Sequence, residues 1–401
     1  MDNQSIQTIY EISDRLVRET GTGFHRYLAS ELDWSVRILA LNGPRGVGKT
    51  TMFLQFLKEN PSEAKNALYV SMDNLWLNPL ELYDLVKYHV QHGGTRILID
   101  EIHYLPDWRR LVKNLYDNFK ELRIAYTGSS ILRLAEGQGD LSRRQVVYSL
   151  SGMSFREYLK IEGLLDESPL TLQDLLANHV DVASRITAKI KVIPAFERYL
   201  KIGYYPFFRE DPDHFAAKLL QVVNQVLDVD LTKTEDVTSE TVRKARRMLT
   251  ILAASTPQTP NVTALCRNLE MDRKAGLRVL YAMRRAGLLG LLAEDAEALK
   301  HLGSPSKIFC DNTNLMHVLS SAPDVGTVRE TFFNNQVGLK NELACPRKGD
   351  FLVNGRDLFE VGGEGKGFDQ IADVPNSHLA VDDTEVGRGG RIPLWLFGFL
   401  Y

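Results

Sequence analysis

Apolar residues fall into two rhythms along this chain. Short unbroken runs at Ile38–Leu41, Ile97–Ile99 and Ile124–Tyr126 read as buried strands, each ending in small or polar residues. The first run leaves its loop through "TMFLQFL", whose apolar positions recur at helical spacing, so strand and helix alternate over the first 150 or so residues and an α/β domain is expected. From about 155 to 235 the spacing turns helical, in "LTLQDLLANHV", "AFERYLKIG" and "KLLQVVNQVLDVDL", and "KIGYYPFF" interrupts it with Gly203, Pro206 and four aromatics, read as a buried turn or a stacking platform. After the polar stretch "LTKTEDVT", three helical segments and an apolar strand with a hairpin predict a winged helix-turn-helix. The last hundred residues return to strands: an amphipathic helix "GTVRETFFNNQV" precedes "KGDFLVNG" and "RDLFEVGG". The expected divisions are 1–155, 156–236, 237–303 and 304–401.

Length and composition accept that reading. A chain of 401 residues exceeds what one hydrophobic core usually organises. With 44% hydrophobic and 25% charged residues and a formal net charge of -3, a globular protein is expected, and a surface coated by nucleic acid is not. Cys266, Cys310 and Cys345 are odd in number and widely spaced, which suggests neither a disulfide framework nor a zinc site. The polar N-terminus lacks the apolar centre of a secretory signal, and nowhere is an apolar run long enough to span a bilayer. The expected location is the cytoplasm.

Chemistry enters with "GPRGVGKTT", which meets the pattern GxxxxGKT through Gly43, Gly48, Lys49 and Thr50, with a strand before it and a helix after it. In such a loop Gly43, Pro44, Arg45, Gly46, Val47, Gly48, Lys49, Thr50 and Thr51 surround ATP phosphates, Lys49 reaches the β and γ oxygens, and the Thr50 hydroxyl binds Mg²⁺. Further on, "ILIDEIH" ends a strand in Asp100 and Glu101, as a Walker B element does: Asp100 for the Mg²⁺ shell, Glu101 for the attacking water or, on the plainer reading, a cap for the next turn. The strand "LRIAYTGSS" brings hydroxyls at Thr127, Ser129 and Ser130, suited to sensing the γ-phosphate or to capping a helix. Arg143 and Arg144 fit a charge-stabilising finger, acting within the chain or on a neighbouring subunit, as well as an ordinary solvated pair; Ser154 and Glu157 form a capping box.

Taken together, "GPRGVGKTT", "ILIDEIH", "YTGSS", "DLSRR" and "LSGMSFREYL", continuing through "FERYLKIGYYPFF", "FCDNTNLMH", "FEVGG" and "IPLWLFGFL", resemble the prokaryotic AAA-type ATPases of the DUF4143 class, similar to STAND-like P-loop ATPases. The resemblance covers most of residues 25–401. It implies an ASCE-type sheet in which the strand ending at Thr127 lies between the P-loop and Walker B strands. A helical lid over the nucleotide is expected from 156–236.

Two further features bear on partners. Lys274, Arg278, Tyr281 and Arg285 fall at i, i+4, i+7 and i+11 on the third helix of the expected winged helix, one basic stripe for DNA or simply a polar face. In the last segment Glu330, Asp350 and Glu360 resemble the acids of a PD-(D/E)xK nuclease core, a restriction-endonuclease-like fold, with Asp350 and Glu360 as a second metal site. Gly362 stands where the lysine of that motif belongs, so the pattern points to a degenerate site unless Lys366 or Lys340 reaches back. Three functions follow as expectations: an ATP-driven switch, an ATP-gated nuclease cutting DNA, and an interaction protein that holds ATP or ADP without turnover. Oligomeric state and protein partner are open.

Overall fold

The computed structural model describes residues 2–73, 77–129, 141, 143–232, 238–254, 262–294 and 303–401. Two compact units divide the chain, Met1–Ser151 and Gly152–Tyr401. The expected segments 156–236, 237–303 and 304–401 thus lie in the second unit. Ser130 lies outside the described residues. No helix among the described residues is long and apolar enough to cross a membrane.

The first unit is a parallel α/β sheet. β1 (Ile38–Gly43), β2 (Ala67–Ser71), β3 (Arg96–Asp100), β4 (Arg123–Ser129) and β5 (Val146–Ser149) stand in the order β2-β3-β4-β1-β5, every pair parallel. Layers of helix on a parallel sheet bury both faces of its inner strands, which is why these strands read as unbroken apolar runs. Ile38, Ala40, Ile97, Ile99, Ile124 and Tyr126 pack with α4 (Pro79–Gln91) and α5 (Trp108–Asn118) through Leu82, Leu85, Val112 and Leu115. α2 (Lys49–Glu59) and α3 (Pro61–Ala64) connect β1 to β2. β4 lies between β1 and β3, the position that the resemblance implied.

α1 (Asn3–Glu19) starts from Asp2, whose carboxylate accepts from the Ser5 N–H at 2.7 Å, and buries Ile6 and Ile9. Its Tyr10 hydroxyl lies 2.7 Å from His89 Nδ1, and His89 Nε2 lies 3.0 Å from the Arg96 carbonyl oxygen. A carbonyl only accepts, so His89 carries a proton on Nε2, and in the neutral ring that burial favours Tyr10 donates to Nδ1.

The second unit begins with helices α6 (Phe155–Ile161), α7 (Leu172–Thr187), α8 (Val192–Ile202) and α9 (Phe215–Gln225). The capping box from Ser154 to Glu157 is present at the start of α6. After these come α10 (Ser239–Ala254), α11 (Val262–Asn268) and α12 (Arg273–Arg285), then β6 (Leu289–Leu292) paired antiparallel with β7 (Lys307–Cys310). α13 (Thr313–Leu319) and α14 (Val325–Gly338) lead to a mixed sheet of β8 (Leu343–Ala344), β9 (Phe351–Val353), β10 (Asp357–Gly362), β11 (Ser377–Val381) and β12 (Arg391–Pro393), ordered β12-β11-β10-β9-β8. β8, β9 and β10 form an antiparallel meander, and β10, β11 and β12 run parallel. α14 covers the sheet, its Phe333 ring centred 4.9 Å from Phe351 and 5.1 Å from Phe359.

The helices expected as a lid are fastened to the C-terminal segments. The Asn314 side chain accepts from the Tyr204 N–H at 2.8 Å and donates to the Leu200 and Tyr199 carbonyls at 2.9 and 3.1 Å. Gln336 Nε2 donates to the hydroxyls of Tyr199 and Tyr401, both at 3.0 Å. Buried amides satisfied this fully fix one packing, because losing a partner would strand a polar group in the core. Of the "YYPFF" aromatics, Tyr204, Tyr205 and Phe208 are buried, which favours the core turn over a stacking platform.

Burial holds His89 below its ordinary value of 6.5, against the smaller upward pull of backbone hydrogen bonds. A depressed imidazole contributes stability that is complete above the ordinary value and lost as pH falls through the folded one. Between about pH 7.5 and about pH 5.5 the wild-type melting temperature should therefore fall further than that of His89→Gln, which cannot titrate. Equal falls in the two proteins would contradict the role given to His89.

Candidate functional site

β1 ends at Gly43, and the loop from Pro44 to Gly48 turns the chain into α2. Gly46 and Gly48 take φ of 78° and 98°, the left-handed region where a side chain would be strained. Gly43 has a different reason: a Cβ there would come 2.3 Å from the Leu150 carbonyl oxygen. Val47 is fully buried and pins the loop. Its carbonyl accepts from the buried Arg26 guanidinium, which also donates to the Ser151 carbonyl at 2.9 Å. Arg26 therefore braces the loop from outside the motif. Lys49 is buried, and its ammonium donates to the carbonyls of Gly43 at 3.0 Å and Pro44 at 2.9 Å, which curls it into the mouth of its own loop. Thr51, next to it, is exposed.

Asp100, 3% exposed at the end of β3, gathers hydroxyls from three elements. Thr50 of α2 donates to its Oδ2 at 2.5 Å, Tyr69 of β2 to the same oxygen at 2.8 Å, and Thr127 of β4 to Oδ1. The Thr127 oxygen in turn accepts the Glu101 N–H at 2.9 Å. The phenol of Tyr69 is pushed well above its ordinary range by burial first and then by the Asp100 charge, so it stays a donor. Thr50 and Asp100 thus meet as the hydroxyl and carboxylate that a Mg²⁺ shell needs, and their oxygens fit that ion. Tyr69 has no sequence motif, and nothing but its position on the neighbouring strand reveals it.

Glu101 adopts φ 52° and ψ 45°, an unusual conformation for a side-chain-bearing residue. Its Oε2 lies 3.2 Å from His103 Nδ1 without making a hydrogen bond. His103 Nε2 lies 3.3 Å from the guanidinium of Arg45, which also donates to the Tyr104 hydroxyl at 2.8 Å. An arginine only donates, so His103 carries its proton on Nδ1, facing Glu101. Arg45, a loop residue, thus contacts the imidazole that sits beside the carboxylate following Asp100.

The remaining expected residues divide. Ser129 pairs in register with Gly43, which sets its backbone beside the start of the loop. Arg144 is not brought to the loop of its own chain. Its guanidinium lies 3.5 Å from Asp117 and 5.6 Å from the centre of the Tyr116 ring, at the C-terminal end of α5. α5 ends where β4 begins, so Arg144 sits at the edge of the sheet opposite the strand ends that carry the loop and Asp100. Arg143 is exposed.

On α12, Lys274 and Arg278 are exposed, but Tyr281 is 3% exposed and donates to the Gly303 carbonyl at 2.8 Å. The stripe expected through Lys274, Arg278, Tyr281 and Arg285 is broken there, because this turn of the helix faces the core and Arg285 is half-buried.

The second carboxylate centre assembles in the C-terminal sheet. Asp350 precedes β9, and its Oδ2 accepts the Val361 N–H at 2.9 Å, which ties it to β10. Glu360 on β10 is 2% exposed, and Lys366 folds back to it with Nζ 2.5 Å from Oε1. A Cβ on Gly362 would meet the Lys366 stem at 2.7 to 3.0 Å, so the glycine makes room for this lysine. Glu330 of α14 completes the set; burial and then the Asp350 charge push it up to about 7, against the pull of Lys307. Lys307 bridges Glu330 Oε2 at 2.8 Å and Asp350 Oδ1 at 3.0 Å. Among the described residues no group of three His, Cys, Asp or Glu side chains is placed to hold a metal ion.

Replacing Tyr69 by Phe removes one donor from Asp100 and leaves the loop intact. Affinity for ATP in the presence of Mg²⁺ should drop about ten- to a hundredfold, the worth of one hydrogen bond to a charged group, with Mg²⁺-free affinity unchanged. Fluorescence titration of the two proteins checks this, and equal losses with and without Mg²⁺ would contradict it.

Residues 35–159 match the family model described as an AAA domain. An uncharacterized protein of Methanocaldococcus jannaschii is 31% identical over 274 residues, covering 63% of this chain and 56% of that protein. The chain thus spans little more than half the length of this curated relative. Among solved structures, the replication initiator DnaA bound to AMPPCP and single-stranded DNA is similar at 16% identity and a TM-score of 0.25, over 75% of this chain and 95% of that one. The Saccharomyces cerevisiae Hsp104–ADP complex is similar at 16% identity and a TM-score of 0.29, over 69% and 37%. Scores of this size carry no weight for the whole chain. The family match and the parallel sheet with its P-loop together make residues 35–159 a P-loop domain of the AAA type.

Proposed function

We propose that this chain binds Mg²⁺·ATP at the P-loop, hydrolyses it, and uses turnover as a switch. The contact from Thr50 to Asp100 carries this reading, because it brings the hydroxyl and the Walker B carboxylate that a Mg²⁺ shell would use to 2.5 Å of each other. Lys49, now held on the carbonyls of Gly43 and Pro44, exchanges these for phosphate oxygens, with the N–H groups of Gly46, Val47, Gly48 and Thr50 around it. Bound Mg²⁺ neutralises phosphate charge. Glu101 accepts the proton of the attacking water, with His103, held by the loop residue Arg45, packed beside it. Slow turnover suits a switch better than a metabolic hydrolase. The exposed Lys274 and Arg278, on a three-helix and hairpin element read as a winged helix, support contact with DNA phosphates. Free cysteines at 266, 310 and 345 accord with a cytoplasmic location.

Purified protein should hydrolyse ATP, and Lys49→Ala should lower turnover by about a hundredfold or more, since it removes the charge that meets the γ-phosphate. An unchanged rate in Lys49→Ala would sink the proposal. Duplex or single-stranded DNA should stimulate turnover less as salt rises; no effect at any salt removes DNA from the partners.

A second reading applies to the C-terminal sheet, where Lys366 restores the lysine that Gly362 lacks. The meander β8–β10 with α14, followed by parallel β11, supports a restriction-endonuclease-like fold, though residues 363–376 form turns where that fold commonly has a helix. On this reading Asp350 and Glu360 would hold a divalent cation that activates the water for DNA cleavage, with Lys366 beside them. Mg²⁺- or Mn²⁺-dependent cleavage that disappears in Lys366→Ala and Asp350→Ala is the expected result. Absence of cleavage of every DNA form tried removes this reading.

A further inference from the structure

Arg144 lies beside Asp117 at the far edge of the sheet, away from the P-loop of its own chain. The loop itself carries another arginine. Arg45 follows Pro44, whose carbonyl holds the Lys49 ammonium at 2.9 Å, so its backbone adjoins the place where Lys49 would meet phosphates. Its half-buried side chain leaves the loop and crosses to the turn Ile102–Tyr104 that follows Glu101. There the guanidinium lies 3.3 Å from His103 Nε2 and donates to the Tyr104 hydroxyl at 2.8 Å, with its centre 5.6 Å from the centre of the Tyr104 ring. The two rings stack with centroids 4.7 Å apart and make one platform for it. A single imidazole separates this guanidinium from Glu101, whose Oε2 lies 3.2 Å from His103 Nδ1.

We propose that Arg45 reads the γ-phosphate of bound ATP: its guanidinium rests on His103 and Tyr104 and, when ATP enters, exchanges them for γ-phosphate oxygens, whose charge it then stabilises during hydrolysis. Position is the first support. A γ-phosphate held by Lys49 and attacked by the water that Glu101 deprotonates has to lie between the loop and the turn after β3, and Arg45 bridges those two elements. Chemistry is the second. An imidazole nitrogen and a phenol oxygen are neutral acceptors, whereas phosphate oxygens are anionic and match both prongs of a guanidinium, so the exchange runs toward the nucleotide. Lys49 makes the same kind of move when it gives up the carbonyls of Gly43 and Pro44. ADP, which lacks the γ-phosphate, leaves Arg45 on the platform of His103 and Tyr104. ATP takes it off, so the turn next to Glu101 differs between the two states and the switch gains a device that tells them apart.

Arg45 has this role only if the P-loop binds Mg²⁺·ATP as proposed above, and binding tests it separately from turnover. Calorimetric titration of AMPPNP and of ADP, each with Mg²⁺, into the full-length chain compares wild type with Arg45→Ala, Arg45→Gln and Tyr104→Phe. Arg45→Ala should bind AMPPNP about ten- to a hundredfold more weakly, the worth of a hydrogen bond to a charged group, and ADP within about twofold of wild type. Arg45→Gln should behave in the same way, and covers the case in which the alanine variant does not fold. Tyr104→Phe removes a resting acceptor and no phosphate ligand, so it should bind AMPPNP about two- to tenfold more tightly. A residue that only packs the loop would shift both nucleotides together. Equal losses for AMPPNP and ADP in the folded Arg45 variants, or no loss for either, would overturn the proposal, as would AMPPNP binding that is unchanged or weaker in Tyr104→Phe. A wild type that shows the expected pattern but hydrolyses no ATP removes turnover and leaves Arg45 as a reader of the γ-phosphate; one that binds neither nucleotide removes both.

Discussion

A carboxylate buried at a strand end has to be matched by donors or cations, and Asp100 meets that demand with hydroxyls from α2, β2 and β4. These contacts do more than lower the cost of burying a charge. They tie the first turn of the P-loop helix to the strands on either side of β3, so the loop, the acid and the turn at Glu101 share one reference frame. Lys49 completes it from the other side of the loop by holding the carbonyls of Gly43 and Pro44. On the proposed reading a phosphate group arriving there would meet hydroxyls and a carboxylate already positioned, with only Lys49 and Arg45 exchanging their partners.

In the second unit the same demand is met with lysines. Glu360 leans on Lys366, while Glu330 and Asp350 share Lys307. Ammonium groups neutralise where hydroxyls only solvate, so this centre is quieter than the first: its charges are largely cancelled from within. What remains uncancelled is the free oxygen of Glu360 and the raised Glu330.

Legibility in the sequence followed chain distance. The P-loop, the Asp100–Glu101 pair and the strand before Thr127 could be read because each packs its chemistry into a contiguous stretch, and the sheet order then agreed with the family resemblance. Tyr69, Arg26 and Lys307 could not, since each acts through a partner far along the chain and carries no local signature. Gly362 stands where the nuclease resemblance expects a lysine, and the intervening turn returns Lys366 to Glu360 instead. Tyr281 misled for a different reason: helical spacing identifies a face but not which way it looks, and here the face looks inward. The charge of Arg144 says nothing of its place, and only the direction of α5 and β5 sets it at the far edge of the sheet.

Calorimetric titration of ATP with and without Mg²⁺, into wild type and Asp100→Asn, reaches the centre of the account. Wild type should bind ATP and bind it more tightly with Mg²⁺, whereas Asp100→Asn should keep the Mg²⁺-free affinity and lose the gain. Failure of wild type to bind ATP, or an equal Mg²⁺ gain in Asp100→Asn, would contradict a nucleotide site organised around that carboxylate.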